Sequence, residues 1–333
     1  MTKNAAKPSG LPVVHERAAG IDIGSRFHVV AVSPDCSDEP IQTFQAFTGD
    51  LMRMADWLVE VDVKTVAMES TGVYWVPVFE LLQARGIDVI LANAREARAV
   101  PGRKSDVNDA QWLQRLHACG LLRASFRPAR NIAALRAYLR QRERLLDFTA
   151  AHIQHMQKAL TLMNLQLHHV VSDVTGATGM KIIRCIVGGQ RDPHELAKMR
   201  DVRCKSSLQT IRAALVGTYQ PEHVFALTQA LTLYDFYQER IDECDRQIEN
   251  ALAILNIDKV NPEVPMPKAK HRTKQPNDVS FDVRSVLYQL TGRDLTQIHG
   301  IGPYLALRLI AECGTDLSKC ISLYTTPCGL KLA

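Results

Sequence analysis

The order of short apolar segments between residues 18 and 92 constrains the fold of this 333-residue chain more than any other feature. GIDIGS, FHVVAVS and IQTFQAF are β-rich segments, and helix-spaced and strand-like segments then alternate after them. The resulting order is β-β-β-α-β-α-β. It predicts a three-stranded antiparallel meander continued by parallel strands, and therefore an α/β domain.

Helical patterns dominate the chain after residue 105. Ser105 is a good N-cap for DVNDAQWLQRLHACG, which Gly120 would end, and LLRASF then suggests a short strand. Positions from 135 to 167 step by four and three, and eight of the ten are apolar, with Arg142 and Thr149 as the exceptions. Residues 222–255 repeat this behaviour. The two segments predict a coiled coil, paired as an antiparallel stalk within the chain or between chains.

Proline-rich and turn-forming segments divide the rest of the chain. Residues 256–282 contain four prolines and the basic sequence KAKHRTK, which is typical of an extended linker. Beyond them, LTQIHGIGPYLALRLIAECG predicts two helices joined by the turn HGIG. We expect a flexible leader at 1–17, an α/β domain at 18–128, a coiled-coil and helical region at 129–255, a linker at 256–282 and a partial helical domain at 283–333.

Composition excludes several classes of protein. Hydrophobic residues make up 46% of the chain and charged residues 23%, which argues against wholesale disorder. The chain has neither an apolar stretch of membrane-spanning length nor a signal-peptide pattern, so we expect a cytoplasmic protein without a membrane partner. The eight cysteines form no C-x-x-C pair, which predicts reduced thiols.

Basic residues are concentrated in one segment. Residues 95–144 hold twelve Lys or Arg against four Asp or Glu, a local net charge of +8. Such a segment is often only a solvated helical face. In a chain that also carries the carboxylate pattern described next, it favours a nucleic acid as partner.

Four carboxylates are the candidate catalytic residues. Asp22 lies in the strand GIDIGS and Glu69 ends the strand VKTVAMES, while Asp106 and Asp109 are three apart at the start of one predicted helix. Carboxylate oxygens suit Mg²⁺ or Mn²⁺, and two such ions can promote phosphodiester cleavage. Taken singly, Asp22 could cap a turn, Glu69 could be a surface residue and Asp106 could favour a helix N-terminus.

Three further groups are weaker candidates. Arg103 and Lys104 could hold a substrate phosphate near the metal, or could be solvated loop charges. Gly300 and Gly302 in the HGIG turn could let backbone N–H groups approach a phosphate, although an ordinary helix-helix turn explains them equally well. Tyr74 and Trp75 could stack on bases, but aromatic residues that begin an apolar helix more often belong to a core.

The sequence resembles the DEDD-type transposases of bacterial insertion sequences, relatives of the pilin gene invertase that act as bridge-RNA-guided recombinases. The resemblance extends from about residue 18 to 320. It depends on GIDIGS with Asp22, on AMESTGVYWVPVFELL with Glu69, on NAREARAVPGRKSDVNDAQWLQRL with Asp106 and Asp109, and on IHGIGPYLALRLIAECG.

The resemblance implies a fold, a cofactor and partners. It implies a ribonuclease-H-like (RuvC-like) domain in which Asp22, Glu69, Asp106 and Asp109 hold Mg²⁺ or Mn²⁺, followed by a coiled coil used in dimer or tetramer assembly. It also implies a C-terminal transposase domain that supplies a nucleophilic serine. The implied partners are DNA, at the element ends and the target, and a guide noncoding RNA.

The chain departs from these relatives where the serine should lie. In relatives the domain continues well past the residues that match Gly329 and Leu330, whereas this sequence ends at Ala333. Ser318 and Ser322 do not occupy the matching position. We therefore assign no nucleophile, and we expect that the chain as written cannot complete recombination.

Two other functions remain open. The first is a non-catalytic RNA- or DNA-binding remnant of such a transposase, which would bind nucleic acid without exchanging strands. The second is an actin-like or sugar-kinase-like ATPase, because GIDIGS also resembles the first phosphate loop of that superfamily. The sequence after residue 150 holds no second Asp-Gly phosphate loop, which argues against the ATPase.

Overall fold

A mixed five-stranded sheet organises the first part of the chain. Its strands are β1 (Ala18–Ile23), β2 (Phe27–Val32), β3 (Ile41–Gln45), β4 (Thr65–Glu69) and β5 (Asp88–Ala92), in the spatial order β3-β2-β1-β4-β5. The β1-β2 and β2-β3 pairs are antiparallel, and the β1-β4 and β4-β5 pairs are parallel. The sheet confirms the α/β prediction and is consistent with a ribonuclease-H-like domain.

The molecule is described by a computed structural model, in which residues 12–70, 72–93, 108–255, 264–269 and 277–315 are described. It divides into two compact units, residues 1–127 and residues 128–333. Within the described residues, no helix is long and apolar enough to cross a membrane. Six of the eight cysteines are described, and all six are free thiols.

The sheet of the first unit carries helices on both faces. Helices α1 (Thr48–Glu60) and α2 (Trp75–Ala84) pack on one face, where their apolar residues share a core with Ile21, Val30 and Met68. Helix α3 (Asp109–Ala118) covers the other face and packs its Leu113 and Leu116 against Ala92. The apolar side of every helix is therefore buried against the sheet.

The start of α3 differs from the sequence prediction. The helix begins at Asp109, and the N-cap is Asn108, whose side chain accepts a hydrogen bond from the Gln111 backbone N–H at 2.8 Å. Ser105 is therefore not the N-cap of this helix. The predicted end is confirmed, because Gly120 follows the helix with a positive φ of 68°.

Two segments that flank α3 also differ in detail. The predicted LLRASF strand is reduced to an isolated bridge between Ala92 and Ala124. Part of the segment assigned to the leader is held in place, because the backbone N–H groups of Val14 and His15 both donate to the Ala118 carbonyl oxygen, at 2.7 and 2.9 Å. This carbonyl lies at the helix end, where no intrahelical donor remains for it.

Two long helices, α4 (Arg130–Leu162) and α9 (Pro221–Leu255), form the frame of the second unit. Leu135 and Leu139 near the start of α4 share a core with residues near the end of α9, whereas residues near the end of α4 share another core with Leu227 near the start of α9. The helices are therefore antiparallel within one chain. Their classification as a coiled coil stays a prediction.

Shorter helices complete the second unit. Between the long helices lie α5 (Leu167–Val170), α6 (Ala177–Val187), α7 (Pro193–Lys198) and α8 (Leu208–Ala214), which help to build the core around Leu160. After α9 come α10 (Val283–Thr291), a 3₁₀-helix (Leu295–Gln297) and α11 (Pro303–Cys313). Leu287 and Leu307 pack in the same core as Leu135 of α4, so the C-terminal helices and the long helices share one interior.

Arg142, an apparent exception in the apolar pattern of α4, is buried at 1% exposure and pairs with an acidic residue of α9. Its Nε donates to Asp245 Oδ1 at 2.5 Å, and its terminal nitrogens donate to the carbonyl oxygens of Asn277 and Asp278 at 2.9 and 3.0 Å. Part of the predicted 256–282 linker is therefore hydrogen-bonded to the long helices. Thr149, the other exception, is buried and satisfies its hydroxyl on the Leu145 carbonyl oxygen.

Candidate functional site

Asp22 and Glu69 lie on neighbouring parallel strands. The register pairs Ile21 of β1 with Met68 of β4, so the next residue on each strand is a carboxylate. Side chains alternate between the faces of a sheet, and Ile21 and Met68 both belong to the α1/α2 core. Asp22 and Glu69 therefore lie on the opposite face, which α3 covers, and both are half-buried.

Helix α3 runs antiparallel to β1. Near its end, His117 Nε2 lies 2.8 Å from the hydroxyl of Thr65, the first residue of β4. In its middle, Gln114 Nε2 donates to the Ala18 carbonyl oxygen at the start of β1, at 3.4 Å. The first turn of the helix is therefore at the other end of the strands. Asp109, which begins the helix, comes to the sheet edge where Asp22 and Glu69 also lie.

Gly20 allows the helix to approach β1 closely. A Cβ atom at this position would lie 2.4 Å from the Ala110 carbonyl oxygen and 2.4 Å from the Gln114 backbone nitrogen. Sequence reasoning missed Gly20 as a residue that positions the site. A glycine inside a strand is a signal for close backbone approach, and it would have identified this contact.

The local electrostatics favour acidic groups at this edge. Asp109 lies in the first turn of α3, where the aligned backbone N–H groups give the helix a partial positive charge. Asn93 follows β5 at the same edge and supplies a further polar side chain, although the sequence did not single it out. Its position directly after a buried parallel strand was the signal that could have identified it.

The remaining predicted residues are not brought into this arrangement by the described part of the chain. Asp106, Arg103 and Lys104 lie outside the described residues. Gly300 and Gly302 belong to the second unit, where Gly300 has a φ of 83° and Gly302 is the N-cap of α11. Within the described residues, no group of three or more His, Cys, Asp or Glu side chains is arranged to hold a metal ion.

The chemistry of the described donors fits a hard divalent cation. Asp22, Glu69 and Asp109 offer carboxylate oxygens, which Mg²⁺ and Mn²⁺ prefer, and none of these positions offers a thiolate or an imidazole. They come from three different elements, so the fold is needed to bring them to one edge. Their oxygens suit a divalent cation in chemistry, whereas the described residues alone do not form a metal-binding group.

Several of the basic residues in the 95–144 segment are already paired within their own unit. Arg127 pairs with Glu80 and lies over the Phe79 ring, with its guanidinium carbon 3.8 Å from the ring centroid. Arg142 is buried with Asp245, and Arg136 and Arg140 both pair with Glu312. The charge that remains exposed is therefore smaller than the sequence count of +8 suggests.

Comparison with known proteins finds one matching family model. A family model for DEDD-type transposases of the IS110 group, described as a transposase, matches residues 19–165. The match includes the whole sheet of the first unit, α3 and α4, and it covers less than half of the chain. It supports an IS110-type transposase, and therefore DNA as a partner. No curated protein matches the chain.

Proposed function

We propose that this chain is a transposase that cleaves DNA strands by using a divalent metal held by Asp22, Glu69, Asp106 and Asp109. The observation that carries the proposal is the geometry of the first unit. The register sets Asp22 and Glu69 side by side on β1 and β4, and the contacts of Gly20 with α3 support a position of Asp109 near the same end of these strands. The match to the transposase family model covers residues 19–165, a range that includes all four of these carboxylates.

Each element has a separate role in this proposal. The rigid strands fix the first two carboxylates, and the helix N-terminus orients Asp109 and favours negative charge near it. When Mg²⁺ or Mn²⁺ is bound, it activates the attacking oxygen and stabilises the leaving oxygen of a phosphodiester. Arg103 and Lys104 would hold a substrate phosphate beside the metal-binding residues.

The partners beyond DNA are also part of the proposal. A guide noncoding RNA would choose the donor and target sites, and the long helices would support assembly into a dimer or tetramer. In the second unit, Gly300 and Gly302 have open space where a Cβ would lie, so a phosphate could come close to the backbone at the start of α11. Family resemblance supports the RNA and assembly roles.

The test compares single substitutions in the full chain, supplied with Mg²⁺, the element's own noncoding RNA and its DNA ends. Asp22→Asn, Glu69→Gln and Asp109→Asn should each abolish cleavage and weaken Mn²⁺ binding measured by electron paramagnetic resonance. Asp88→Asn is the matched control, because Asp88 is exposed at the opposite edge of the same sheet, at the start of β5. It should retain both properties.

The outcomes separate the competing functions. Full activity in both Asp22→Asn and Glu69→Gln would overturn the proposed metal site. RNA binding without any cleavage by the unsubstituted chain would instead identify a non-catalytic binder and overturn the proposed DNA cleavage. Thermal unfolding of each variant shows whether a loss of activity reflects chemistry or a loss of fold.

A further inference from the structure

A cavity lies at the carboxylate edge of the first unit, on the face of the sheet that α1 and α2 cover. Its volume is about 270 Å³, and Gly24, Ser25, His28, Val73 and Tyr74 are among the residues that line it. A cavity that holds one buried water needs a volume of only about 10 to 15 Å³. The cavity therefore has room for a ligand much larger than one water molecule.

His28 is a buried polar residue in the cavity wall. It is paired with Ile23 across the β1-β2 ladder, and Ile23 faces the α1/α2 core, so the imidazole lies on the same face. The side chain is only 2% exposed, and its Nδ1 has no hydrogen-bond partner among the described residues. Burial lowers the pKa of His28, which favours the neutral form of the ring. A buried, unpartnered ring nitrogen is costly unless a ligand completes its hydrogen bond.

The rest of the lining indicates a neutral, flat ligand. None of the described residues that line the cavity carries a formal charge at neutral pH, so this part of the lining offers no ion pair to a phosphate or a metal ion. Leu51 and Pro77 supply apolar surface, and the Ser25 hydroxyl supplies a second hydrogen-bonding group. Tyr74 is 50% exposed, so one part of its ring remains available for stacking. An aromatic heterocycle with hydrogen-bonding edges matches this combination.

The loops that line the cavity continue from the strands that carry the candidate carboxylates. Gly24 is two residues after Asp22, and Val73 is four residues after Glu69. A nucleic-acid strand held by the carboxylates would therefore pass close to this cavity. We propose that the cavity receives one unpaired nucleobase of that strand, with Tyr74 stacking on the base and His28 hydrogen-bonding its edge. This inference rests on the proposed function, since it assumes a nucleic-acid substrate.

The first test uses free nucleosides, so it needs neither the DNA sites nor the guide RNA. The full chain, with its histidine rings isotope-labelled, is titrated with adenosine, guanosine, cytidine and uridine, and with ribose 5-phosphate as a control without a base. The His28 signal is assigned by its loss in His28→Gln. At least one nucleoside should shift that signal, and ribose 5-phosphate should not. No shift with any nucleoside, or a shift with ribose 5-phosphate, would overturn the proposal.

A second variant keeps the test informative if His28→Gln fails to fold. Tyr74→Ala changes a half-exposed residue and should weaken nucleoside binding about tenfold, as expected for the loss of one base-stacking contact. Phe225→Ala is the matched control, because Phe225 is a 66% exposed aromatic residue of α9 in the other unit. Equal affinity in Tyr74→Ala and the unsubstituted chain would contradict the stacking role.

Asp22→Asn separates this inference from the proposed function. It should abolish DNA cleavage while nucleoside binding stays unchanged, because Asp22 lies on the other face of the sheet. DNA cleavage by the unsubstituted chain without nucleoside binding overturns the base cavity alone. Nucleoside binding without cleavage supports the cavity and overturns the proposed DNA cleavage.

Discussion

Gly20 shows how one absent side chain sets the position of a candidate metal ligand. The atoms that a Cβ would meet, the Ala110 carbonyl oxygen and the Gln114 nitrogen, are both backbone atoms of α3. Neither can rotate away as a flexible side chain would. A larger residue would therefore separate helix from strand and shift Asp109 relative to Asp22 and Glu69.

We predict that Gly20→Ala destabilises the protein by about 1 to 3 kcal/mol or more, the usual cost of overpacking a tight contact. The measurement is thermal unfolding followed by circular dichroism. Gly49→Ala is the control, because Gly49 lies in α1 with nothing within 4 Å of the added Cβ. It should not lower the melting temperature, because alanine is the better helix former. Equal melting temperatures for the two variants would contradict the close-approach explanation.

His117 makes the stability of the first unit depend on pH. Burial, and next the nearby His15, lower the pKa of His117 to about 4 from the ordinary value of 6.5. The unfolded chain therefore binds a proton that the folded chain excludes. The resulting stability is complete above pH 6.5 and is lost as the pH falls toward 4, by at most about 1.4 kcal/mol per pH unit.

The prediction can be measured by urea unfolding between pH 7.5 and 4.5. His117→Gln should give a smaller loss of unfolding free energy with acid than the unsubstituted chain. His299→Gln changes an exposed histidine in the second unit and should leave the pH dependence unchanged. If His117→Gln and the unsubstituted chain gave parallel curves, another group would be responsible.

At the scale of elements, a buried ion pair between Arg142 and Asp245 joins the antiparallel helices α4 and α9. Burial by itself lowers the pKa of Arg142, but the hydrogen bond and the charge of Asp245 outweigh this effect and raise the pKa. The second oxygen of Asp245 accepts the Ser280 backbone N–H at 2.8 Å. The pair thus also holds the chain just ahead of α10, and each nitrogen of the Arg142 guanidinium and each oxygen of the Asp245 carboxylate makes a hydrogen bond.

Removing one partner of this pair should lower the free energy of unfolding far more than removing both partners. Asp245→Asn leaves a buried cation without its counter-charge, and we expect a loss of about 3 to 5 kcal/mol in denaturant unfolding. The double variant Arg142→Met, Asp245→Leu should regain most of that loss. Arg184→Met breaks the exposed pair with Asp235 and should cost less than about 1 kcal/mol. A similar loss in Asp245→Asn and Arg184→Met would refute the role of burial.

Sequence patterns predicted the sheet better than they predicted the helix ends. The strands were recognisable because each is short, apolar and bounded by turn residues, and the meander-then-parallel order followed directly. The start of α3 was wrong, because Ser105 and Asn108 are both good caps and only tertiary packing chooses between them. Arg142 was read as an interruption because its partner is 103 residues away. Gly20 carried a local signal that was overlooked, a glycine inside a strand, whereas the burial of His28 depends on tertiary packing that no local pattern encodes.

For the whole molecule, the attraction of the basic segment 95–144 for nucleic acid depends on which of its charges stay exposed. Arg123, Arg130 and Arg144 remain exposed, whereas Arg127 and Arg142 are committed to internal contacts. A polyanionic partner attracted by exposed charge releases counterions when it binds, so its affinity must fall as salt increases. Salt dependence therefore measures how much of the segment contacts nucleic acid.

We predict that the triple variant Arg123→Gln, Arg130→Gln, Arg144→Gln weakens nucleic-acid binding and reduces the slope of log affinity against log salt by roughly one unit per lost phosphate contact. Fluorescence anisotropy with the element's RNA and DNA ends, between 50 and 200 mM salt, provides the measurement. The control triple, Arg212→Gln, Arg246→Gln, Arg293→Gln, changes net charge equally at exposed positions outside the segment. Equal slopes for both triples would show that only net charge matters.

The Arg142–Asp245 pair also has a consequence for how the chain folds while it is being synthesised. The ribosome synthesises Arg142 long before Asp245, which is 103 residues later. Until α9 emerges, α4 carries an uncompensated cation in the middle of its apolar stripe, where water still has to solvate it. We therefore expect the cation to disfavour burial of this stripe against a wrong partner during translation. The core between the two long helices can form only after α9 has been synthesised.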